Sequence, residues 1–511
     1  MPAPAGDHIT LTVDGRPVSA PAGDFSLLTL LREHLGIREV KDGCSPQGQC
    51  GACTVLVDGA ARVACVTPAR RMAGRRITTL AGLDPARREA WADAFCATGA
   101  SQCGFCTPGI ILRLESLSRR SPGADPSGPL SAHLCRCTGW QTILEAARAV
   151  EEGAHVPGGS RDFAAAARRA AIEGGGSQVA GPHVACGEGG FADDSAPPDA
   201  LVAVPAPDGG WALGETLAEA RQAAGAAEGR RSTLRPTPPL EVPPGAWDRT
   251  LQTCWSEPAY LELDASWCAP PDPLATGGAC GAKARSDAPA VARRLAEETG
   301  RPVRVLYSRP DATRLGPKRP PVAGGANADG SGRLAVARTP GIVEAVAAVA
   351  PGLEVIETDV AGPPTSAEPR AAGVLEALAL LAGARGTADA VRLPGGGVAT
   401  AHVGEVISVE VDCGHLLDEV VLRSYCIGAA HMAYSLVTSE AIATDDSGAV
   451  ADLTVRSFGV VPASRTPPVD VRIVDSDGEP VNGSDAVFVA VAAATWLAMG
   501  CPPVWPTDRR S

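Results

Sequence analysis

Gly43-Cys44-Ser45-Pro46-Gln47-Gly48-Gln49-Cys50-Gly51-Ala52-Cys53 decides the reading of this chain. Three cysteines share one glycine-rich loop and Cys65 follows on what reads as a returning strand, giving C-x5-C-x2-C-x11-C. A 2Fe-2S cluster needs four thiolates converging on two irons, and three from one loop plus one from a nearby strand supply them. Gly43, Gly48 and Gly51 let the backbone fold closely enough for amide N–H groups to face the sulfurs. Structural zinc and inert thiols are the alternatives, but zinc sites show two separated C-x2-C pairs.

Working outward, His8 to Val13 alternates as a strand does, and Asp14-Gly15 turns it into a hairpin. Leu27, Leu28, Leu30, Leu31 and Leu35 form one apolar helical face, with Ser26 placed as an N-cap. Thr54 to Val57 reads as a strand and Arg62 to Val66 as its return. From Ile77 the pattern turns helical: Ala86 to Ala97, Ile110 to Arg119 and Thr142 to Glu151. Between these helices lie Gln102-Cys103-Gly104-Phe105-Cys106-Thr107-Pro108-Gly109 and His133-Leu134-Cys135-Arg136-Cys137-Thr138-Gly139-Trp140-Gln141. Cys103, Cys106, Cys135 and Cys137 thus form a second set at helix ends, where free N–H groups stabilise an anionic cluster. A thioredoxin-like reading of Cys103 and Cys106 lacks a βαβ setting and leaves Cys135 and Cys137 unexplained.

With these motifs in hand, residues 1 to about 155 resemble the iron–sulfur part of the xanthine dehydrogenase / aldehyde oxidase / carbon monoxide dehydrogenase family of molybdenum hydroxylases. The resemblance implies a multidomain α+β chain: a β-grasp ferredoxin domain over residues 1–76, then a four-helix domain over 77–155 with the second 2Fe-2S cluster. It also implies that Gln102 and Cys137 lie next to a molybdopterin. Cys96 falls outside both motifs and is expected to be a packed thiol.

Residues 156–185 are rich in Gly, Ala and Ser and read as a linker with one short helix. Beyond it, Tyr260 to Leu263 reads as a strand and Asp287 caps a helix ending at Gly300. Val303 to Tyr307, Glu405 to Val411 and Val469 to Val474 read as strands, Ile427 to Leu436 and Asp485 to Met499 as helices. No G-x-G-x-x-G follows a strand and no P-loop is present. His183, His402, His415 and His431 show no metal spacing, and Cys186, Cys254, Cys268, Cys280, Cys413, Cys426 and Cys501 are dispersed. Here too the chain resembles the family, through fragments of its molybdenum subunit in order: FADD from Phe191, EPAYLELDA from Glu257, GGACGAK ending at Lys283, RPVRVLYSR from Arg301 and GEVISVEVDCG from Gly404. Residues 186–250 then correspond to a remnant of that subunit's N-terminal domain, and 251–511 to a shortened molybdopterin-binding-like region.

The departures carry as much information. The family's GGGFGGK loop stands as GGACGAK, and its arginine-bearing AFRGFG segment is not recognisable between Arg338 and Glu357. Where the family places a catalytic glutamate in a GVGEP turn, the chain has Val481-Asn482-Gly483-Ser484-Asp485-Ala486. Ser484 stands at the glutamate position and has no carboxylate to accept a proton; Asp485, one residue displaced, is the weak candidate for a replacement base. The resemblance thus implies an electron-transfer subunit working with a catalytic molybdenum subunit, and, as no segment resembles a FAD domain, with a separate flavoprotein or other acceptor. A compact self-contained hydroxylase acting on an N-heterocycle or aldehyde, and a non-enzymatic 2Fe-2S carrier, are the alternatives.

The bulk properties agree with a redox protein of several domains. At roughly 150 residues per domain, 511 residues make three or four. Of sixteen cysteines nine precede residue 140, the pattern of clustered metal ligands in a reducing compartment rather than of a disulfide framework. A net charge of −13 argues against nucleic-acid or anionic-membrane partners. The first residues lack the basic and apolar regions of a signal peptide, and the apolar run from Val487 to Met499 is shorter than a bilayer requires. The sequence expectation is a cytoplasmic protein.

Overall fold

The computed structural model describes residues 8–153, 161–225, 233–267 and 279–508. His8–Val13 and Arg16–Pro21 pair as the expected hairpin, and the sheet continues through Arg76–Thr78, Thr54–Val57 and Ala60–Val63. His8–Val13 runs parallel to Arg76–Thr78, which gives the grasp topology. Ser26 does cap a helix, its hydroxyl accepting from the Thr29 N–H, but the helix Leu27–Thr29 widens into a π turn over Leu30–His34. That shift keeps Leu27, Leu28, Leu30 and Leu31 all buried against the sheet.

The described residues 77–153 form three α-helices rather than the four expected: Pro85–Thr98, Thr107–Arg120 and Gln141–Glu151, with a 3-10 turn over Pro129–Ala132. Proline at the start of that last segment and the tight Pro/Gly loop before it leave no length for a fourth helix. The first two domains share one core, which also takes in Ile442, Leu453, Val455 and Phe458 from far along the chain.

Within the segment read as a linker, of which 161–185 is described, the expected short helix is Phe163–Gly174, capped by Asp162, but it is packed on Glu419–Thr438 rather than free. Its Arg169 and Glu173 are fully buried, so this segment is part of the interior. Tyr260 to Leu263 is not a strand: it is a buried loop, and the strand follows at Ala265–Trp267. That strand joins a four-stranded sheet with Val303–Leu306, Leu201–Pro205 and Trp211–Gly214. Asp287 and Gly300 bound the expected helix, Ala288–Thr299, with Gly300 in the left-handed region.

Two further sheets complete the chain: a five-stranded one around Val322–Ala326, and a four-stranded one around Ile407–Asp412. Between them lie Val374–Arg385, Glu419–Thr438 and Ser484–Ala498, the last buried on nearly every face, as its uninterrupted Ala/Val sequence requires. Among the described residues Glu419–Thr438 alone is long and apolar enough to cross a membrane, but 78% of its apolar window is buried in the protein, so its apolarity serves packing. Gly395-Gly396-Gly397 forms part of the turn between Val391–Arg392 and Val398–Val403.

Candidate metal centres

Fifteen of the sixteen cysteines are described; Cys268 lies outside the described residues. Cys44, Cys50, Cys53 and Cys65 come together and are at most 4% exposed. Cys44 contacts both Cys50 and Cys65 through sulfur, and Cys65 contacts Cys53. The Gln47 N–H donates to Cys44 Sγ at 3.3 Å, and the Cys65 N–H to Cys53 Sγ at 3.4 Å. Cys65 is not on the strand: it sits in a 3-10 turn, Ala64–Val66, that breaks from the sheet and swings the thiol back over the loop. Gly51, at φ 71°, is required twice, because a side chain there would also strike the His133 ring at 2.3 Å.

The second quartet is as close. Cys103 Sγ lies 3.6 Å from Cys137 Sγ, and Cys135 contacts both Cys106 and Cys137. Cys106 is the N-cap residue of Thr107–Arg120, at the positive end of that helix. Cys137 precedes Gly139 and Trp140, both at positive φ, whose sharp turn delivers the chain into Gln141–Glu151. In each ring one thiol is pushed down and its neighbours up. Cys44 is lowered by hydrogen bonds from Cys50 and Cys65, and Cys135 by those from Cys106 and Cys137. The donors Cys50, Cys65, Cys106 and Cys137 are raised by those same bonds and by burial. Four thiolates cannot share such a buried space without a compensating cation, and iron supplies one; the donor sets fit two 2Fe-2S clusters.

The two loops touch. The Leu134 N–H, next to Cys135, donates to the Cys50 carbonyl at 2.9 Å, and His133 Nε2 bonds Thr54 Oγ1 at 3.1 Å. Arg136, between the ligands Cys135 and Cys137, makes a buried bidentate pair with Glu440 at 2.5 and 2.6 Å. Cys96 takes no part in either ring; it is a buried thiol, pushed up to about 12 by desolvation.

The position implied for a molybdopterin is filled. Gln102 Nε2 donates to the Cys137 carbonyl at 2.9 Å and to Ser424 Oγ of Glu419–Thr438 at 3.0 Å. Gly428 on that helix lies so close that a Cβ would come 1.7 Å from the Cys137 oxygen. The cavity beside Gln102 and Cys103 measures about 10 Å³, and the one beside Cys280 and Arg370 about 50 Å³. Gly277 and Gly278 of GGACGAK lie outside the described residues.

At the family glutamate position Ser484 is fully buried, and its hydroxyl accepts from Arg370 at 2.9 Å. Arg370 also pairs with Asp485 at 2.8 Å. Burial raises the Asp485 carboxyl and the Arg370 charge opposes it, so this group is held in a structural ion pair. Glu173 accepts the N–H groups of Gly483 and Ser484 at 3.1 and 2.8 Å, and Arg169 pairs with Glu173 and bonds the Val481 carbonyl. Arg338, at the start of the interval where the family arginine would stand, is exposed and pairs with Asp359; the arginine that reaches this interior is Arg370. The described residues around Gln102 and Ser484 therefore do not fit a pterin. Glu173, Arg370, Ser424 and Gly428 are not marked by anything local in the sequence; the one available signal is Arg169-x3-Glu173 in an otherwise Ala-rich helix.

Fold and cysteine geometry together define a two-cluster iron–sulfur protein. Residues 6–80 match the family described as "2Fe-2S iron-sulfur cluster binding domain", and residues 79–148 that described as "[2Fe-2S] binding domain". The nicotinate dehydrogenase small FeS subunit of Eubacterium barkeri is 41% identical over 136 residues, covering 25% of this chain and 85% of that protein. The xanthine dehydrogenase iron-sulfur-binding subunit of Escherichia coli O157:H7 is 38% identical over 143 residues, covering 27% of this chain and 89% of that one. Aldehyde oxidoreductase from Desulfovibrio gigas superposes with a TM-score of 0.72 at 14% identity, over 98% of this chain and 99% of that chain, a likeness of fold. The chain belongs to the molybdenum hydroxylase family of oxidoreductases, as its 2Fe-2S part with about 350 further residues built like aldehyde oxidoreductase.

Proposed function

We propose that this chain is the electron-transfer subunit of a cytoplasmic molybdenum hydroxylase assembly whose molybdopterin centre is held by another chain. In this reading a separate flavoprotein or other acceptor takes the electrons onward. One contrast carries it: both cysteine rings are intact and joined through the Cys50 carbonyl and Leu134 N–H, while the pterin position is occupied by this chain's own side chains.

Each 2Fe-2S cluster, when bound, accepts and releases one electron. The chain supplies what surrounds that chemistry. Burial of seven of the eight thiols, all but the partly exposed Cys103, limits water, and N–H donors from Gln47 and Cys65 favour the more negative state. Arg136, pinned by Glu440, holds Cys135 and Cys137 in register and adds a fixed positive charge between them. The region from 186 onward serves as a scaffold: Arg32 and Arg304 meet on Asp193, tying the ferredoxin domain to Val303–Leu306.

A self-contained hydroxylase would need a free base and room for a pterin; Asp485 paired with Arg370 and cavities of about 50 Å³ or less speak against it. The reading as a carrier that uses no molybdopterin has one observation in its favour, the Gln102 amide engaged by Ser424. Iron and molybdenum content decides among these. The lone chain, purified anaerobically from a molybdopterin-competent host, is expected to hold about four Fe and no Mo. Molybdenum then appears only on co-purification with a catalytic partner. Molybdenum in the lone chain would overturn the proposal, and its absence from every complex would leave the carrier.

A further inference from the structure

A cavity of about 820 Å³ opens on the side of the cluster loops away from Gln102, between the two iron–sulfur domains and the segment around Val455–Phe458. Its size falls in the range of small-molecule sites, which run from about 300 to 1,000 Å³. Among the described residues its walls carry Arg113, Arg235, Arg456 and Arg465 against one carboxylate, Asp508. None of these four guanidiniums forms an ion pair with a described carboxylate, although the chain as a whole carries −13. The buried arginines Arg32, Arg136, Arg169, Arg304, Arg319 and Arg370 all meet carboxylates, while exposed ones such as Arg62, Arg71 and Arg120 stand singly without an ion pair; here such groups gather around one concavity. Four unpaired guanidiniums around one concavity concentrate positive potential, and their planar forks match oxyanions.

The composition of the wall points to the rest of the ligand: the Trp140 side chain is one of the residues that line it. The rest of the wall near it is apolar, with Leu134, Val461 and Pro462 facing the same space, so a bare inorganic anion would leave that surface wet.

We propose that this cavity is a binding site for a ring-bearing organic phosphate of nucleoside-diphosphate type. The arginines take the phosphates and the apolar wall beside Trp140 takes the ring. The site is separate from the pterin position and does not depend on the electron-transfer reading. It does adjoin both clusters, since Gln49 precedes Cys50 and Leu134 precedes Cys135 on its wall.

The test is calorimetric titration of the full cluster-loaded chain with ADP, pyrophosphate and adenosine. ADP is expected to bind once per chain, pyrophosphate more weakly, and adenosine not measurably. Arg456→Glu with Arg465→Glu, both exposed positions, is expected to weaken ADP by at least about 10-fold. Its iron content and visible spectrum should stay as in the parent. No ADP binding up to about 1 mM overturns the proposal. So does ADP affinity unchanged in the double variant, or adenosine binding as tightly as ADP. Pyrophosphate binding as tightly as ADP would overturn the ring half and leave an oxyanion site.

Discussion

The carboxylate of Glu173 accepts the N–H of Ser484 at 2.8 Å, at the start of the deeply buried helix Ser484–Ala498. A carboxylate at a helix N-terminus is favourable, and here it is itself buried and paired with Arg169. Glu173→Ala would leave Arg169 uncompensated in the interior and two N–H groups unpaired. The expected loss is about 3–5 kcal/mol, read as a lower denaturant midpoint for the C-terminal region. Arg169→Met combined with Glu173→Leu should recover much of it; a double variant as unstable as the single one would contradict this account.

Glu440→Ala tests the tie between the second cluster and the rest of the chain. It strands Arg136 between two cluster ligands, at a cost of about 3–5 kcal/mol. The second cluster should be lost first, so iron falls towards about two per chain while one of the two reduced-state EPR signals survives. Equal loss of both signals would mean that Arg136 steadies the whole protein rather than its own loop.

Cysteine substitutions should sort cleanly. Cys50→Ser should remove the first cluster and Cys106→Ser the second, each halving the iron. Cys96→Ser should leave iron unchanged, because this thiol is buried outside both rings and remains protonated at neutral pH. Iron analysis with EPR on the three variants distinguishes them.

Acid should loosen the junction between the ferredoxin domain and the sheet built on Val303–Leu306. Burial would raise the Asp193 carboxyl, but Arg304 and Arg32 outweigh it and hold the group well below the usual carboxylate range. Its folded-state value lies below its unfolded one, so the stabilisation is complete above about pH 4–5 and is lost as pH falls towards the folded value. With partial exposure of the pair discounted, the effect is on the order of 1–2 kcal/mol. Brief hydrogen-exchange pulses should show protection of Val303–Leu306 falling with acid in the parent, and a flat, lower profile in Asp193→Asn.

The first 150 residues are legible because their chemistry is local. Cys44 to Cys53 is one loop, and the hairpin turns at Asp14-Gly15 and Asp58-Gly59 declare their strands. What stays hidden is non-local. Arg32 meets Asp193, Gln102 meets Ser424 and Glu173 meets Ser484 across separations of 161, 322 and 311 residues, and nothing in the intervening sequence announces such a pairing. The linker reading of 156–185 fails for the same reason: Gly and Ala describe a flexible segment equally well as a helix packed where only small side chains fit. Cys65 reads as a strand residue because Arg62 to Val66 follows the Asp58-Gly59 turn as a returning apolar run, whereas the strand ends at Val63 and Ala64–Val66 is a 3-10 turn.

The helix Glu419–Thr438 can seat against the ligand loop only because position 428 has no side chain, so even an alanine there would lift it from Cys137. The second iron ring is thus partly shaped by a residue almost three hundred positions beyond its own ligands.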